Sequence, residues 1–190
     1  MKTSKPLLTA LLATVLITAL PIQGSLGEKL PKTASRPWKV VRYLSNYQHL
    51  AIQLREIYGI PMAVTFAVAG LESDFGLSSL AINGNNHFGI KNFNWNGAVY
   101  CQYTSEWMPE GGFLPVKECF RKYPLIADSY LDFALFLASR PNYRYIFNHP
   151  EWDYSSWVWQ LQAGGYATDP NYASKLLRLI EQYQLYLLDQ

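Results

Sequence analysis

Several signatures of common chemistries are missing from this 190-residue chain. Its three histidines, His49, His87 and His149, are scattered, with no HExxH and no Cys/His cluster at ligand spacing, so no metal site is expected. There is no GxSxG elbow to present a serine nucleophile and no glycine-rich phosphate loop, and nothing calls for a cofactor. Charged residues make up only 16%, and no basic run offers an electrostatic case for nucleic acid. The uncharged stretch Leu7–Leu20 is fourteen residues long, short of the roughly 20 needed to span a bilayer. What is present is apolar and aromatic: 49% hydrophobic residues, with six Trp and fourteen Tyr. That much apolar surface excludes a disordered chain, and the length suits one domain.

The N-terminus reads as an address. Lys2 and Lys5 precede Leu7–Leu20, and Pro21 and Gly24 follow, the basic–apolar–small order of a secretory signal. Retention of this segment as an uncleaved anchor is the alternative. Cleavage near Gly24 removes Lys2 and Lys5, leaving a formally neutral protein and no stable membrane span. Residues 25–36 read as a polar tether and residues 37–190 as the domain. An exported chain, in the periplasm, the envelope or secreted, meets an oxidising environment. Its two cysteines, Cys101 and Cys119, flank the turn signal Pro109-Glu110-Gly111-Gly112, and a pairing of 101 with 119 has its midpoint inside that turn. A hairpin carrying a cross-strand disulfide is therefore expected, with Pro115 marking an edge strand.

The remaining pattern is helical. Trp38–Tyr58 carries Leu50, Leu54 and Ile57 on one stripe, with Gly59 placed to end it. Pro61 suits the start of a second helix bearing Val64, Ala67, Val68, Leu71 and Phe75, with Gly76 as its stop. Residues 83–97, rich in Asn and Gly, read as a loop. Asp128 is placed to cap a later helix that Arg140-Pro141 closes, and the stretch beyond it, through Gln162, reads as helical with Trp152, Trp157 and Trp159 in the core. A final helix follows Asp169-Pro170, with Tyr172, Leu176, Leu179, Ile180 and Tyr183 facing inward. The expectation is a mainly α-helical α+β domain with one small β-hairpin lobe.

With metal and elbow chemistry set aside, carboxylates remain. Glu72 falls in the final turn of the second helix at the edge of its apolar stripe. Partial burial and the negative end of the helix dipole both raise a carboxyl pKa, as a general acid working near neutral pH requires. Position alone also suits a solvated or capping glutamate.

The neighbouring motifs decide between these readings. Ala69-Gly70-Leu71-Glu72-Ser73-Asp74-Phe75-Gly76, then Asn85-Asn86-His87-Phe88-Gly89-Ile90-Lys91, then Cys119-Phe120-Arg121-Lys122-Tyr123 and Gly165-Tyr166-Ala167-Thr168-Asp169-Pro170-Asn171-Tyr172-Ala173 occur in this order. Together they resemble the glucosaminidase-domain family of peptidoglycan hydrolases, the flagellar muramidase-like and autolysin-like enzymes of glycoside hydrolase family 73.

The resemblance implies a lysozyme-like fold with its hairpin over a cleft, and an exported enzyme cutting β-1,4 bonds of peptidoglycan glycan strands as an endo-β-N-acetylglucosaminidase. It implies Glu72 as catalytic acid, and Glu106 of Thr104-Ser105-Glu106 as a second carboxylate, with Glu110 or Glu118 as alternatives. Tyr166 would orient the sugar's acetamido group. Asn86, Phe88 and Gly89 would form the cleft wall as substrate contacts, and Trp107, with Trp95, would stack on sugar faces. Arg121 is read as structural. A monomer without a metal or cofactor is expected. Competing readings are a lytic transglycosylase or muramidase of the same fold, and a wall-glycan binding module without turnover.

Overall fold

The computed structural model describes residues 36–190. The expected leader lies outside the described residues, as does the tether apart from Arg36. Arg36 belongs to the folded unit, since its guanidinium donates to the carbonyls of Tyr183 at 2.6 Å and Gln184 at 3.1 Å. Helix α1 (Trp38–Tyr58) ends where Gly59 turns left-handed at φ +68°. Its inner face holds Val40, Tyr43, Leu44, Leu50, Ala51 and Leu54. Ile57 does not join them and is 70% exposed. A 3.6-residue period carries the stripe from Leu54 to Tyr58, which packs on the core instead.

Helix α2 (Met62–Ser73) is the centre of the molecule. Every residue from Met62 to Gly70 is buried, and only Leu71 and Glu72 are half-exposed. Its small residues Ala63, Ala67, Ala69 and Gly70 let α1 and the helices near the C-terminus close around it. Pro61 supplies no side-chain cap at its start. The orphan N–H groups of Met62 and Ala63 instead donate to the two carboxylate oxygens of Asp189, at 2.7 and 2.9 Å. The far end stops at Ser73, three residues before the expected Gly76. Asp74 and Phe75 already take φ of +48° and +54°, and Gly76 follows at +80°. The Ser73 hydroxyl closes this end, accepting from Gly76 N at 2.8 Å. Phe75 is held in its unusual conformation by packing: its ring lies against Gly70, where a Cβ would sit 2.7 Å away, and meets Tyr43 and Tyr183 edge-on.

A short helix, α3 (Ser79–Gly84), precedes the Asn/Gly-rich loop. The hairpin follows as β1 (Val99–Met108) and β2 (Gly112–Arg121), antiparallel, with Cys101 opposite Cys119 and disulfide-bonded to it. The strands are longer than the turn signal alone implies, so Glu106 lies within β1, opposite Leu114. Arg121 ties the lobe down, with Nη1 2.9 Å from both oxygens of Asp132 on the next helix and its guanidinium over Trp95.

Helix α4 (Ile126–Ser139) starts earlier than expected, so Asp128 is its third residue rather than its cap and accepts from Leu125 N at 3.0 Å. Two short 3₁₀ turns lead to α5 (Tyr154–Ala163) and α6 (Tyr172–Gln182), and a 3₁₀ turn at Leu185–Asp189 follows. On α5 the core face holds Trp157, Val158 and Leu161. Trp159 is two residues from Trp157 and faces outward at 47% exposure, while Trp152 precedes the helix and is 75% exposed; neither fills the core. The fold is the expected helical body with one hairpin lobe.

Asp189→Ala should lower stability by about 1–2 kcal/mol, the usual worth of a lost helix cap, while Asp189→Asn should recover part of it. Denaturant midpoints for the three proteins give the comparison.

Candidate active site

The left-handed turn after α2 redirects the chain so that the loop at residues 86–91 passes beside Glu72. Asn86 and Phe88, expected as substrate contacts on the cleft wall, are fully buried. Asn86 fixes the loop instead: its amide donates to the carbonyls of Ile90 and Arg121, and its Oδ1 accepts from the N–H groups of Phe88 and Ile90. Phe88 stacks on Phe133 with ring centroids 4.3 Å apart. Gly89 does reach the groove. Its φ is +63°, and a Cβ there would lie 2.6 Å from Glu72 Oε2, so a side chain would displace the carboxyl group.

The groove has a volume of about 590 Å³, within the range of small-molecule sites. Glu72, Gly89, Glu106, Trp107 and Tyr166 all line it. Burial is the main cause that pushes the Glu72 carboxyl up from its ordinary value to about 7, and the nearby Glu106 charge adds to it. The opposing influences are smaller: Tyr172 donates its hydroxyl to Glu72 Oε1 at 2.9 Å, and Lys175 and Lys91 attract the carboxylate form. A carboxyl group with this balance holds a proton near neutral pH.

Glu106 is held differently. Lys91 Nζ lies 3.0 Å from Glu106 Oε1 and 3.4 Å from Glu118, while Thr168 Oγ1 donates to Glu106 Oε2 at 3.1 Å. Both neighbours are donors, so each Glu106 oxygen has a partner of its own. Two carboxyl groups with different surroundings thus share one groove, one buried beside a tyrosine hydroxyl and one against a lysine. The Thr168 contact also joins the hairpin to the loop after α5. Lys175 lies 5.2 Å from the Phe113 ring centroid, a second contact from the hairpin, here to α6.

Tyr166 is half-buried beside Tyr172, their rings stacked 5.7 Å apart, and its hydroxyl donates to Phe88 O at 2.7 Å. Trp95 does not line the groove and packs on Tyr123. Phe93, Phe113 and Lys175 line it without having been singled out in the sequence, as does Arg140, read there only as a helix end. Lys91 and Tyr172 stand inside the quoted motifs, Lys91 without a role and Tyr172 read as a core residue. Among the described residues no group of His, Cys, Asp or Glu is placed to hold a metal ion.

The model of the glucosaminidase family, described as mannosyl-glycoprotein endo-beta-N-acetylglucosaminidase, matches residues 48–185. The chain belongs to this family of glycoside hydrolases. It is 36% identical over 137 residues to the exo-glucosaminidase LytG of Bacillus subtilis, covering 70% of this chain and 47% of that one. It is 29% identical over 153 residues to the peptidoglycan hydrolase FlgJ of Vibrio cholerae, covering 76% and 45%. The chain therefore spans about half the length of these relatives. Among solved structures, the catalytic domain of the autolysin Auto from Listeria monocytogenes superposes with a TM-score of 0.64 at 32% identity, covering 83% of this chain and 92% of that domain.

Opposite shifts should follow from two substitutions. Tyr172→Phe removes the hydrogen bond that favours the Glu72 carboxylate, so its pKa should rise further. Glu106→Gln removes a neighbouring negative charge and should lower it. Carboxyl ¹³C shifts of Glu72 followed through a pH titration test both signs. Stability gives a second expectation for the same group. A folded pKa above the unfolded one supplies stabilisation that is complete below about 4.5 and lost as pH rises through about 7. Glu72→Gln removes that loss, so its melting temperature should exceed wild type at pH 8 and the gap should shrink toward pH 4.5.

Proposed function

We propose that this chain is an exported peptidoglycan hydrolase, an endo-β-N-acetylglucosaminidase that cuts between N-acetylglucosamine and N-acetylmuramic acid with Glu72 as general acid. The observation that carries this reading is a half-buried carboxyl group pushed up to about 7 beside a second carboxylate held by a lysine, in one groove. Family membership and the relatives' printed names support peptidoglycan as substrate. The basic–apolar–small N-terminus and the Cys101–Cys119 disulfide support export.

In the proposed mechanism Glu72 delivers its proton to the bridging oxygen as the bond breaks, and the leaving sugar departs with a free hydroxyl. Glu106, positioned by its contacts with Lys91 and Thr168, takes a proton from the water that attacks the cation-like carbon. Tyr166 and Tyr172 form an aromatic wall beside the acid against which the sugar ring is placed. Substrate assistance by the 2-acetamido group is the competing route, and Tyr166 would then matter more than Glu106.

One observation favours an exo-acting enzyme as a second reading. The hairpin touches the far side of the groove through Glu106–Thr168 and Phe113–Lys175, which would hinder entry of a continuous strand, and LytG is named an exo-glucosaminidase.

Digestion of purified peptidoglycan in ¹⁸O water should yield labelled, borohydride-reducible N-acetylglucosamine ends. Anhydro-muramic ends without label would instead identify a transglycosylase, reducing N-acetylmuramic acid a muramidase, and binding without new ends a glycan-binding module. Falling strand length from the first minutes indicates endo cleavage; steady release of small products indicates exo. Glu72→Gln should fold and lose about 10²–10⁴-fold in turnover. A silent Glu106→Gln with a crippled Tyr166→Phe would select the substrate-assisted route.

A further inference from the structure

Three cations line the groove, and two of them are already neutralised. Lys91 is shared by Glu106 and Glu118, and Lys175 is ion-paired with Asp169. Arg140 is different. Among the described residues no carboxylate pairs with it and no acceptor takes a side-chain hydrogen bond from it. Its guanidinium carbon lies 3.9 Å from the Phe136 ring centroid, so a cation–π contact holds the group without satisfying its N–H donors.

Its place is fixed from both directions. The backbone of Arg140 closes α4 in an extended conformation, Pro141 prevents continuation of the helix, and the Arg140 carbonyl accepts from Tyr143 N at 3.0 Å. Phe136 in turn meets Tyr166 edge-on, with centroids 5.7 Å apart. The cation therefore stands one aromatic ring away from the tyrosine beside Glu72. A guanidinium held on a ring face, with its donors free and lining a groove, is arranged to take a planar, doubly accepting anion.

We propose that Arg140 is a specificity-determining residue that binds a carboxylate borne by the glycan, on a sugar adjoining the one beside Tyr166. The proposal rests on the peptidoglycan reading above, and in an alternating strand both neighbours of an N-acetylglucosamine are N-acetylmuramic acid. That sugar brings a carboxylate in two ways: as the free lactyl group where the peptide has been removed, or on the stem peptide where it remains. A neutral β-1,4 N-acetylglucosamine polymer brings neither, so Arg140 sets a preference for wall glycan over chitin-like chains.

Arg140→Gln and Arg140→Lys test this in two settings, active enzyme for turnover and the Glu72→Gln background for binding. The probes are soluble glycan strands with stem peptides, the same strands stripped of peptide, and each preparation with its carboxylates converted to amides. Arg140→Gln should weaken binding to carboxylate-bearing strands about ten-fold or more and raise KM with little change in kcat, and Arg140→Lys should recover part of the loss. On amidated strands the wild type should fall to the level of the glutamine variant. Loss confined to peptide-bearing strands assigns the stem carboxylate, and loss confined to stripped strands the lactyl group; either supports the proposal. Equal binding by wild type and Arg140→Gln on all four probes, or the same loss on amidated and charged strands, overturns it. Charge-dependent binding without any release of reducing ends would leave the Arg140 assignment standing while removing the hydrolase reading.

Discussion

Keeping a carboxyl group largely out of water, yet open to a groove on one side, is the constraint on which the rest of this structure depends. It is met by putting Glu72 at the last turn of a helix that is buried on every side. Helix α2 has almost no polar face of its own, so it depends on its neighbours for both solubility and capping. Its start is completed by Asp189 and its end by the Ser73 hydroxyl and three successive left-handed residues. That sharp end lets the next loop return beside the carboxyl, where Gly89 is the residue that leaves room for it.

Around this point the protein divides its electrostatics. Lysines lie near both carboxyl groups, but Lys91 contacts Glu106 directly, whereas Glu72 has a tyrosine hydroxyl as its hydrogen-bond partner. A neutral donor stabilises a carboxylate less than a cation does, so desolvation prevails at Glu72. The rest of the polar interior is kept away from this titration. His87 is buried against Tyr43, its Nδ1 2.6 Å from the hydroxyl, and burial lowers its pKa to about 4, so it stays neutral where the groove works.

The hairpin contributes little to the core and much to the groove. Its disulfide and the Arg121–Asp132 pair anchor its base, while its outer half carries Glu106, Trp107 and Phe113 toward the loop after α5. An isolated two-stranded ribbon is at best marginally stable in water. Its tethers at the base and its contacts across the groove therefore set where the second carboxylate stands.

Much of this was legible in the sequence for local reasons. Gly59, the Pro109–Gly112 turn and the paired cysteines act through backbone preference and chain closure, so the first helix's end, the hairpin and its register follow from neighbours in the chain. The place of Glu72 at the edge of the apolar stripe was legible from helix phase, while its position alone left a solvated or capping role open and only the surrounding motif singled it out. What the sequence left open depends on partners far along it. Asp189 caps a helix 127 residues earlier, and Tyr172, spaced like any core residue of α6, turns its hydroxyl to a carboxyl 100 residues away. Asn86 and Phe88 look like cleft residues from their motif, yet burial makes them the loop's internal support. Trp152 and Trp159 look like core residues from their size, and the phase of α5 puts Trp159 in solvent. Hydrophobicity and turn chemistry are properties of single residues and short windows; the proton affinity of Glu72 and the neutralisation of each lysine are properties of what the fold sets against them.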